Sequence, residues 1–399
     1  MVEDIPNLRH LHAASEIARL GSISRAAANV HLSQSAVTQG IARLEDRVGE
    51  RLFERTGAGM RTTESGRRFI ARIDRAFQKL KSIESENALE PLPGVEPLHR
   101  RVTATQLRAL VAVVEAGGFS LAARGLGLSE PSVYRSAREL EQLCGCEFFQ
   151  RRSNGVETTA TARQVARSAS LAFAEIRQGF DEVDELHGRM QSRVAVGCLP
   201  LARTKLLPDA ITRLLSRHPS ARVRVVDGPY DDLLHDLLHG NIDIMLGALR
   251  LPRPTLPIVQ ERLFDDPLSI VVRRGHPLLE DSKPGVAQLA ELHWIVPREG
   301  TPARDHFNAF FVARNVAPPA HLIECSSLVT TRGLLLQSDR AALLSQRQVS
   351  PDVTQGYLAT LAGPLPGTER SIGLTRRKGW KPTAVQSTFL DTIRQLAAD

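Results

Sequence analysis

Small polar side chains recur one helical turn apart near the amino end: Ser33, Gln34, Ser35, Thr38, Gln39 and Arg43. A glutamine amide donates and accepts at once, so Gln34 can pair two-point with an adenine edge. Ser35 and Thr38 hydroxyls can reach bases or phosphates, and Arg43 suits phosphate. Arg55 and Arg61 flank a glycine-rich turn and can reach a sugar-phosphate backbone. A second set stands further along: Ser129, Glu130, Ser132, Tyr134, Arg135 and Arg151. Glu130 suits such a surface only where it accepts from a cytosine amino group, since phosphates repel it. A third set, Leu201, Arg203, Thr204, Arg298, Thr301, Ser326 and Ser327, offers hydroxyls, guanidinium groups and helix starts, which favour a carboxylate or polyhydroxyl ligand. No P-loop, dinucleotide glycine pattern, G-x-S-x-G or H-E-x-x-H occurs, so no enzyme activity is expected. No zinc spacing surrounds Cys144 and Cys146, and nothing beside Cys198 or Cys325 marks a reactive thiolate. All four read as packing residues, with no metal or cofactor expected.

The elements that position the first two sets are related by an internal repeat. An offset of 96 residues aligns Leu11–Thr63 with the chain from Leu107 to Thr159 without a gap. Matching pairs include Ser24/Ser120, Ala26/Ala122, Ser33/Ser129, Leu44/Leu140, Glu45/Glu141, Phe53/Phe149 and Thr63/Thr159. Each copy reads as three helices and a hairpin. In the first, Leu8, Leu11, Ala14 and Ile17 recur at helical spacing, and Gly21 closes that helix. Ser24 is expected to cap a short helix over Arg25–Val30, and Ser33 the helix Gln34–Arg47. The latter turns Val37, Ile41, Leu44 and Val48 inward. Two short strands around Gly57-Ala58-Gly59 make a wing, and Thr63 caps a long helix, about Glu64–Ser85. The second copy ends in a helix from Ala160 to about His187. A short helix, tight turn and polar-faced helix form the helix-turn-helix pattern.

The domain limits expected are 1–88 and 99–190 for the two copies, a Pro-rich linker over 89–98, and a C-terminal domain over 191–399. That last part alternates strand and helix through Arg193–Gly197, Leu206–His218, Arg222–Val226, Asp231–His239 and Ile242–Gly247, which predicts a parallel sheet covered by helices. A second sheet is expected from Leu268–Arg273, Trp294–Val296, Leu322–Cys325 and Ala341–Leu344. Two lobes follow, with crossovers near Asp266–Leu268 and Gln355–Leu358. Ligands in such folds sit at the carboxyl ends of the strands.

The formal net charge is +7, and the excess is concentrated early. Leu8–Lys81 holds 14 Lys and Arg against 7 Asp and Glu, and His99–Gln178 holds 11 against 7. That placement fits a polyanion partner. No apolar run approaches the roughly 18 residues of a membrane span, and MVEDIPNLRH resembles no secretion signal. No membrane contact and a cytoplasmic location are expected.

Taken together, Ala26-Ala27, Leu32-Ser33-Gln34-Ser35-Ala36-Val37-Thr38, Ile41-Ala42-Arg43-Leu44-Glu45 and Gly49-Glu50-Arg51-Leu52-Phe53-Glu54-Arg55 resemble the N-terminal module of LysR-type transcription regulators. The resemblance covers nearly the whole chain. It implies a multidomain α+β protein: two tandem winged helix-turn-helix domains, then a two-lobed α/β effector domain of the periplasmic-binding-protein kind. It also implies double-stranded DNA, a small-molecule effector and further copies of the chain as partners, with RNA polymerase a further one. Val196–Pro208 is similar to the branch that senses sugars or aromatic acids. Family members usually carry one module, so a dimer joined through the long helices would here carry four. The competing reading is an architectural DNA binder whose C-terminal domain only oligomerises. Of the two copies, the first is expected to hold most of the DNA affinity, because Glu130 and Pro131 replace Gln34 and Ser35 in the second.

Overall fold

In this computed structural model, residues 5–57, 59–86, 96–152, 155–189, 192–250, 255–280 and 284–398 are described. Most of the expected linker lies outside them. The chain divides into two units, 1–192 with 238–241 and 193–237 with 242–399.

Local caps set the helices of the first unit. Helix α1 (Leu8–Leu20) starts at Asn7, whose side chain accepts from the Arg9 N–H, and ends at a left-handed Gly21. Helices α2 (Ile23–Asn29) and α3 (Gln34–Val48) follow. Ser22, not Ser24, caps α2: Ser22 keeps an extended backbone, while Ser24 already lies inside the helix. Ser33 caps α3 and Gly49 closes it. The wing is β1 (Phe53–Thr56) against β2 (Gly59–Thr62). Its glycine is required, since a Cβ at Gly59 (φ +123°) would lie 2.5 Å from the Gly21 carbonyl oxygen. Helix α4 (Glu64–Glu86) then starts at Thr63, whose hydroxyl accepts from the Gly66 N–H at 2.9 Å.

A short α5 (Leu98–Arg101) precedes the second copy: α6 (Ala104–Ala116), α7 (Phe119–Leu126), α8 (Glu130–Cys144), β3 (Phe149–Arg152), β4 (Gly155–Thr158) and α9 (Ala160–Leu186). Residues shared by the copies hold the frame. The Glu45 carboxylate accepts from the Leu52 and Phe53 N–H groups, and Glu141 does the same for Phe148 and Phe149. Each carboxylate thereby pins the polar-faced helix to its wing. Among the described residues no single helix is long and apolar enough to cross a membrane. The bent pair α6–α7 passes that test jointly, across a 119° bend.

Helices α4 and α9 pack along one another. Phe69 meets Phe180 edge-on, with ring centroids 5.1 Å apart. Between them lies a buried charge cluster. Arg72 donates to Glu175 at 3.0 Å, Gln178 at 2.7 Å and Glu182 at 2.5 Å, and Arg75 forks onto Glu175 at 2.9 Å. Burial works against the Arg72 charge, and Glu182 and Glu175 more than offset it.

The second unit holds two five-stranded sheets. The first comprises β5 (Arg193–Cys198), β6 (Arg222–Asp227), β7 (Ile244–Ala248) and β8 (Ile258–Asp266), with α10 (Leu206–Arg217) and α11 (Tyr230–His239) between its strands. Strand β5 runs parallel to β6 and β7. The second sheet begins at β9 (Leu268–Arg273), directly after Asp266. Then come α12 (Val286–Glu291), β10 (Trp294–Val296), α13 (Pro302–Val312), β11 (Leu322–Glu324), α14 (Leu328–Leu336), β12 (Ala341–Ser345), α15 (Gln346–Thr354) and β13 (Leu358–Ala362). Strand β14 (Arg370–Arg377) returns to the first sheet between β7 and β8, and α16 (Ala384–Ala398) ends the chain. The return lies between Ala362 and Arg370, not near Gln355–Leu358 as the sequence implies. The reason is that β13 pairs antiparallel with β9 and so belongs to the second sheet. At the other crossing, the buried Asp266 carboxylate accepts from Ser345 at 2.6 Å and Arg370 at 2.5 Å.

Two outcomes follow for denaturant unfolding of the full chain. Arg72→Met should cost about 1–3 kcal/mol, because Glu182 loses its cation and Gln178 its guanidinium donor while Glu175 keeps the Arg75 fork; a loss under about 0.5 kcal/mol would contradict the buried network. His99 provides a pH signature. Its imidazole is pushed down to about 4, first by burial, then by Lys81, Arg100 and His12, with the Glu84 carboxylate 3.8 Å away. The unfolded imidazole titrates near 6.5, so the unfolded chain takes up this proton first as pH falls. Stability should therefore fall between pH 6.5 and 4, by on the order of 3 kcal/mol. His99→Gln should flatten that part of the profile.

Candidate functional site

One face of α3 carries the residues that the sequence singles out. Gln34, Ser35, Thr38, Gln39 and Arg43 are all exposed, while Val37, Ile41, Leu44 and Val48 are buried. The exposed side is partly organised in advance. The Ser33 hydroxyl accepts from the Ala36 N–H at 3.2 Å and lies 3.0 Å from that of Ser35. Ser24 donates to Gln34 Oε1 at 3.2 Å, and Thr38 donates back to the Gln34 carbonyl at 2.9 Å. Ser24 thus orients the glutamine instead of capping a helix. Arg43 lies near enough to His10 to help lower its pKa, after burial. In the wing, Arg55 and Arg61 are exposed, and Arg61 sits across the ladder from Glu54.

On α8, Glu130, Ser132, Tyr134 and Arg135 are also exposed. The local chemistry differs from α3. The Ser129 hydroxyl pairs with Ser132 at 2.7 Å and makes no capping bond to the backbone. Tyr134 is only half free: its ring packs on Phe119 at 5.1 Å and under the Arg138 guanidinium at 5.3 Å. Arg151 lies in β3, and its side chain falls outside the described residues.

The third set is not brought to one point. A cavity of about 210 Å³ opens between Thr204, beyond β5, and the second sheet's helices. Its walls are Leu328, Leu335, Leu344, Val349 and Leu358, with Arg332, Gln348 and Asp352 as polar groups. Of the seven residues named from sequence, only Thr204 lines it. Leu201 is buried in its own lobe. Arg203 donates to the Cys198 carbonyl at 3.1 Å and lies 3.5 Å from Asp227. Ser327 caps α14, which supplies the Leu328 and Arg332 walls, whereas Ser326 makes no cap. Thr301 caps α13, and Arg298 is exposed beside it. The buried arginine here is Arg304, in the first turn of α13, which donates to the Pro297 carbonyl.

Sequence reasoning missed Arg332, whose Nε donates to Asp352 at 2.7 Å while its other nitrogens make no bond among the described residues. Cys198 is buried and its thiol is pushed up to about 12, first by burial. Cys144 is likewise pushed up to about 12, so neither is a thiolate at neutral pH.

An exposed polar helix after a tight turn, a basic wing and a two-lobed α/β unit with a cavity between its sheets define a ligand-responsive DNA-binding protein. Comparison with known proteins agrees. A model described as "LysR substrate binding domain" matches residues 187–398, and "Bacterial regulatory helix-turn-helix protein, lysR family" matches 8–67 and again 104–163. The "HTH-type transcriptional regulator GalR" of Pseudomonas putida is 35% identical over 99% of this chain and 98% of its own. The "HTH-type transcriptional regulator PcaQ" of Agrobacterium fabrum is 28% identical over 75% of this chain and 96% of its own. Among solved structures, a full-length OxyR variant from Pseudomonas aeruginosa has a TM-score of 0.55 at 20% identity, covering 73% of this chain and 95% of that one. CbnR, a LysR family regulator, has 0.52 at 20%, covering 74% and 99%. The chain belongs to the LysR family of DNA-binding transcriptional regulators, with an effector-binding domain at its carboxyl end.

Proposed function

We propose that this regulator reads operator DNA with two winged helix-turn-helix modules, residues 1–88 and 99–190, and answers to a small organic or aromatic acid bound in residues 191–399. The exposed row on α3, with Gln34 held by Ser24, carries the DNA reading. Gln34, Ser35, Thr38 and Gln39 face base edges, while Ser33, Arg43, Arg55 and Arg61 take phosphates. On the second module, Ser129, Glu130, Ser132, Tyr134, Arg135 and Arg151 face the duplex with weaker grip, since Tyr134 is partly committed to packing. The two-lobed part is of the periplasmic-binding-protein kind. The protein works in the cytoplasm as a regulator and not as a catalyst, with RNA polymerase and further copies of itself as partners.

The effector reading rests on the cavity beside Thr204. Its volume, about 210 Å³, is below the roughly 300–1,000 Å³ of sites that take drug-sized ligands. Aliphatic walls favour an apolar body, and the bond-free nitrogens of Arg332 favour a carboxylate at one end. A sugar would leave hydroxyls against leucine. Thr204 lines the cavity and Ser327 caps the helix that supplies its Leu328 and Arg332 wall; Leu201, Arg203, Arg298, Thr301 and Ser326 remain candidates for effector contact.

In gel shifts on the chain's own upstream DNA, Gln34→Ala or Arg43→Ala should weaken binding more than Tyr134→Ala or Arg135→Ala; the reverse order would overturn the assignment. Arg332→Ala should leave DNA affinity intact and remove the shift in footprint that a small aromatic acid causes in the wild type. A wild-type footprint that no acid changes would favour the purely architectural role.

A further inference from the structure

Helices α4 and α9 are equivalent elements of the repeat, and they pack on each other. The 96-residue offset carries through their cores: Phe69, Ile70, Ile73, Ala76, Phe77 and Leu80 correspond to Val165, Ala166, Ala169, Ala172, Phe173 and Ile176, all buried. The pair is antiparallel, because Ser65 meets His187, Arg72 meets Gln178 and Arg75 meets Glu175. That register sets Phe77 opposite Phe173, which are the same position in the two copies. The two modules are thus related by an approximate two-fold axis through this point, as the halves of a dimer would be. From that centre to Glu64 or Ala160 is 13 residues of helix, so the starts of α4 and α9 lie roughly 40 Å apart along the pair. Inverted half-sites one duplex turn apart are separated by roughly 34–36 Å.

The symmetry stops at the charges. The counterparts of Arg72 and Arg75 are Ser168 and Leu171, and that of Glu175 is Lys79. Pairing α4 with another α4 would put Lys79 in the place where Glu175 receives Arg72 and Arg75. Pairing α9 with another α9 would leave Glu175 buried without a cation. Among the described residues, α4 exposes Glu64, Arg67, Asp74, Gln78 and Lys81 with one small apolar residue, Ala71, and of α9 only Ala160 and Arg163 are exposed. The short α5 that leads into the second copy is tied to the end of α4, since Glu84 accepts from the Leu98 N–H at 2.7 Å.

We propose that one chain is by itself a complete pseudo-symmetric DNA reader, binding an inverted pair of half-sites of unlike sequence. The inequality comes from the faces: Gln34, Ser35, Thr38 and Gln39 on one, Glu130, Pro131, Tyr134 and Arg135 on the other. This rests on the reading of both faces as base-contacting. The test is enrichment of duplexes from a random 40-base-pair pool by the full chain, followed by the mass of the purified complex. The expected result is a motif of two unlike, inverted halves about one turn apart, with one chain per pair, whether or not complexes associate further. Gln34→Ala should relax preference tenfold or more in one half only, and Arg135→Ala in the other half only. A palindrome holding one chain per half, or a single half-site per chain, overturns the proposal while leaving the DNA reading intact. A pool with no enrichment overturns both.

Discussion

Arg72 and Glu175, buried between α4 and α9, constrain the geometry of everything amino-terminal to them. Two charges removed from water gain little net stability even when well paired. Their value lies in the cost of wrong pairings. The apolar faces of α4 and α9 are alike by descent from one repeat and would tolerate several arrangements. The charge cluster favours the one in which α4 meets α9 antiparallel, and the orientation of both winged modules follows from it.

The same repeat sorts residues by role. Positions kept in both copies hold the frame: Glu45 and Glu141 bond the strand N–H groups, and Thr63 and Thr159 cap the long helices. Positions that differ lie on the exposed side of α3 and α8. The frame is thus made twice, with two chemically different exposed faces.

Most helices and strands were legible because periodicity and caps are local. What was not legible was set at long range. Ser24 and Ser22 are both plausible caps by residue type, and only backbone conformation separates them. Leu358–Ala362 reads as a strand, but sequence does not say which sheet it joins; pairing with β9 decides that. Arg72 reads as one more surface charge on a basic helix until its partners, some hundred residues away, are in place. One signal was available: the alanines of α9, with Gly179 against Phe69, mark a helix packed too closely for large side chains.

The cavity beside Thr204 shows the other limit of local reading. Thr204 is singled out by a positional rule, the carboxyl end of a strand, and it lines the cavity. The opposite wall comes from α14 and α15. Helix α15 escaped notice because Pro351 sits inside it, and proline usually ends a helix. The hydroxyls that looked most ligand-like, Ser327 and Thr301, cap helices, and Arg203 commits its Nε to the Cys198 carbonyl. Arg332, unremarkable in sequence, keeps nitrogens unspent beside leucines. Ligand-binding capacity therefore follows what the fold leaves unsatisfied, and that is settled only after caps and pairings have drawn their share.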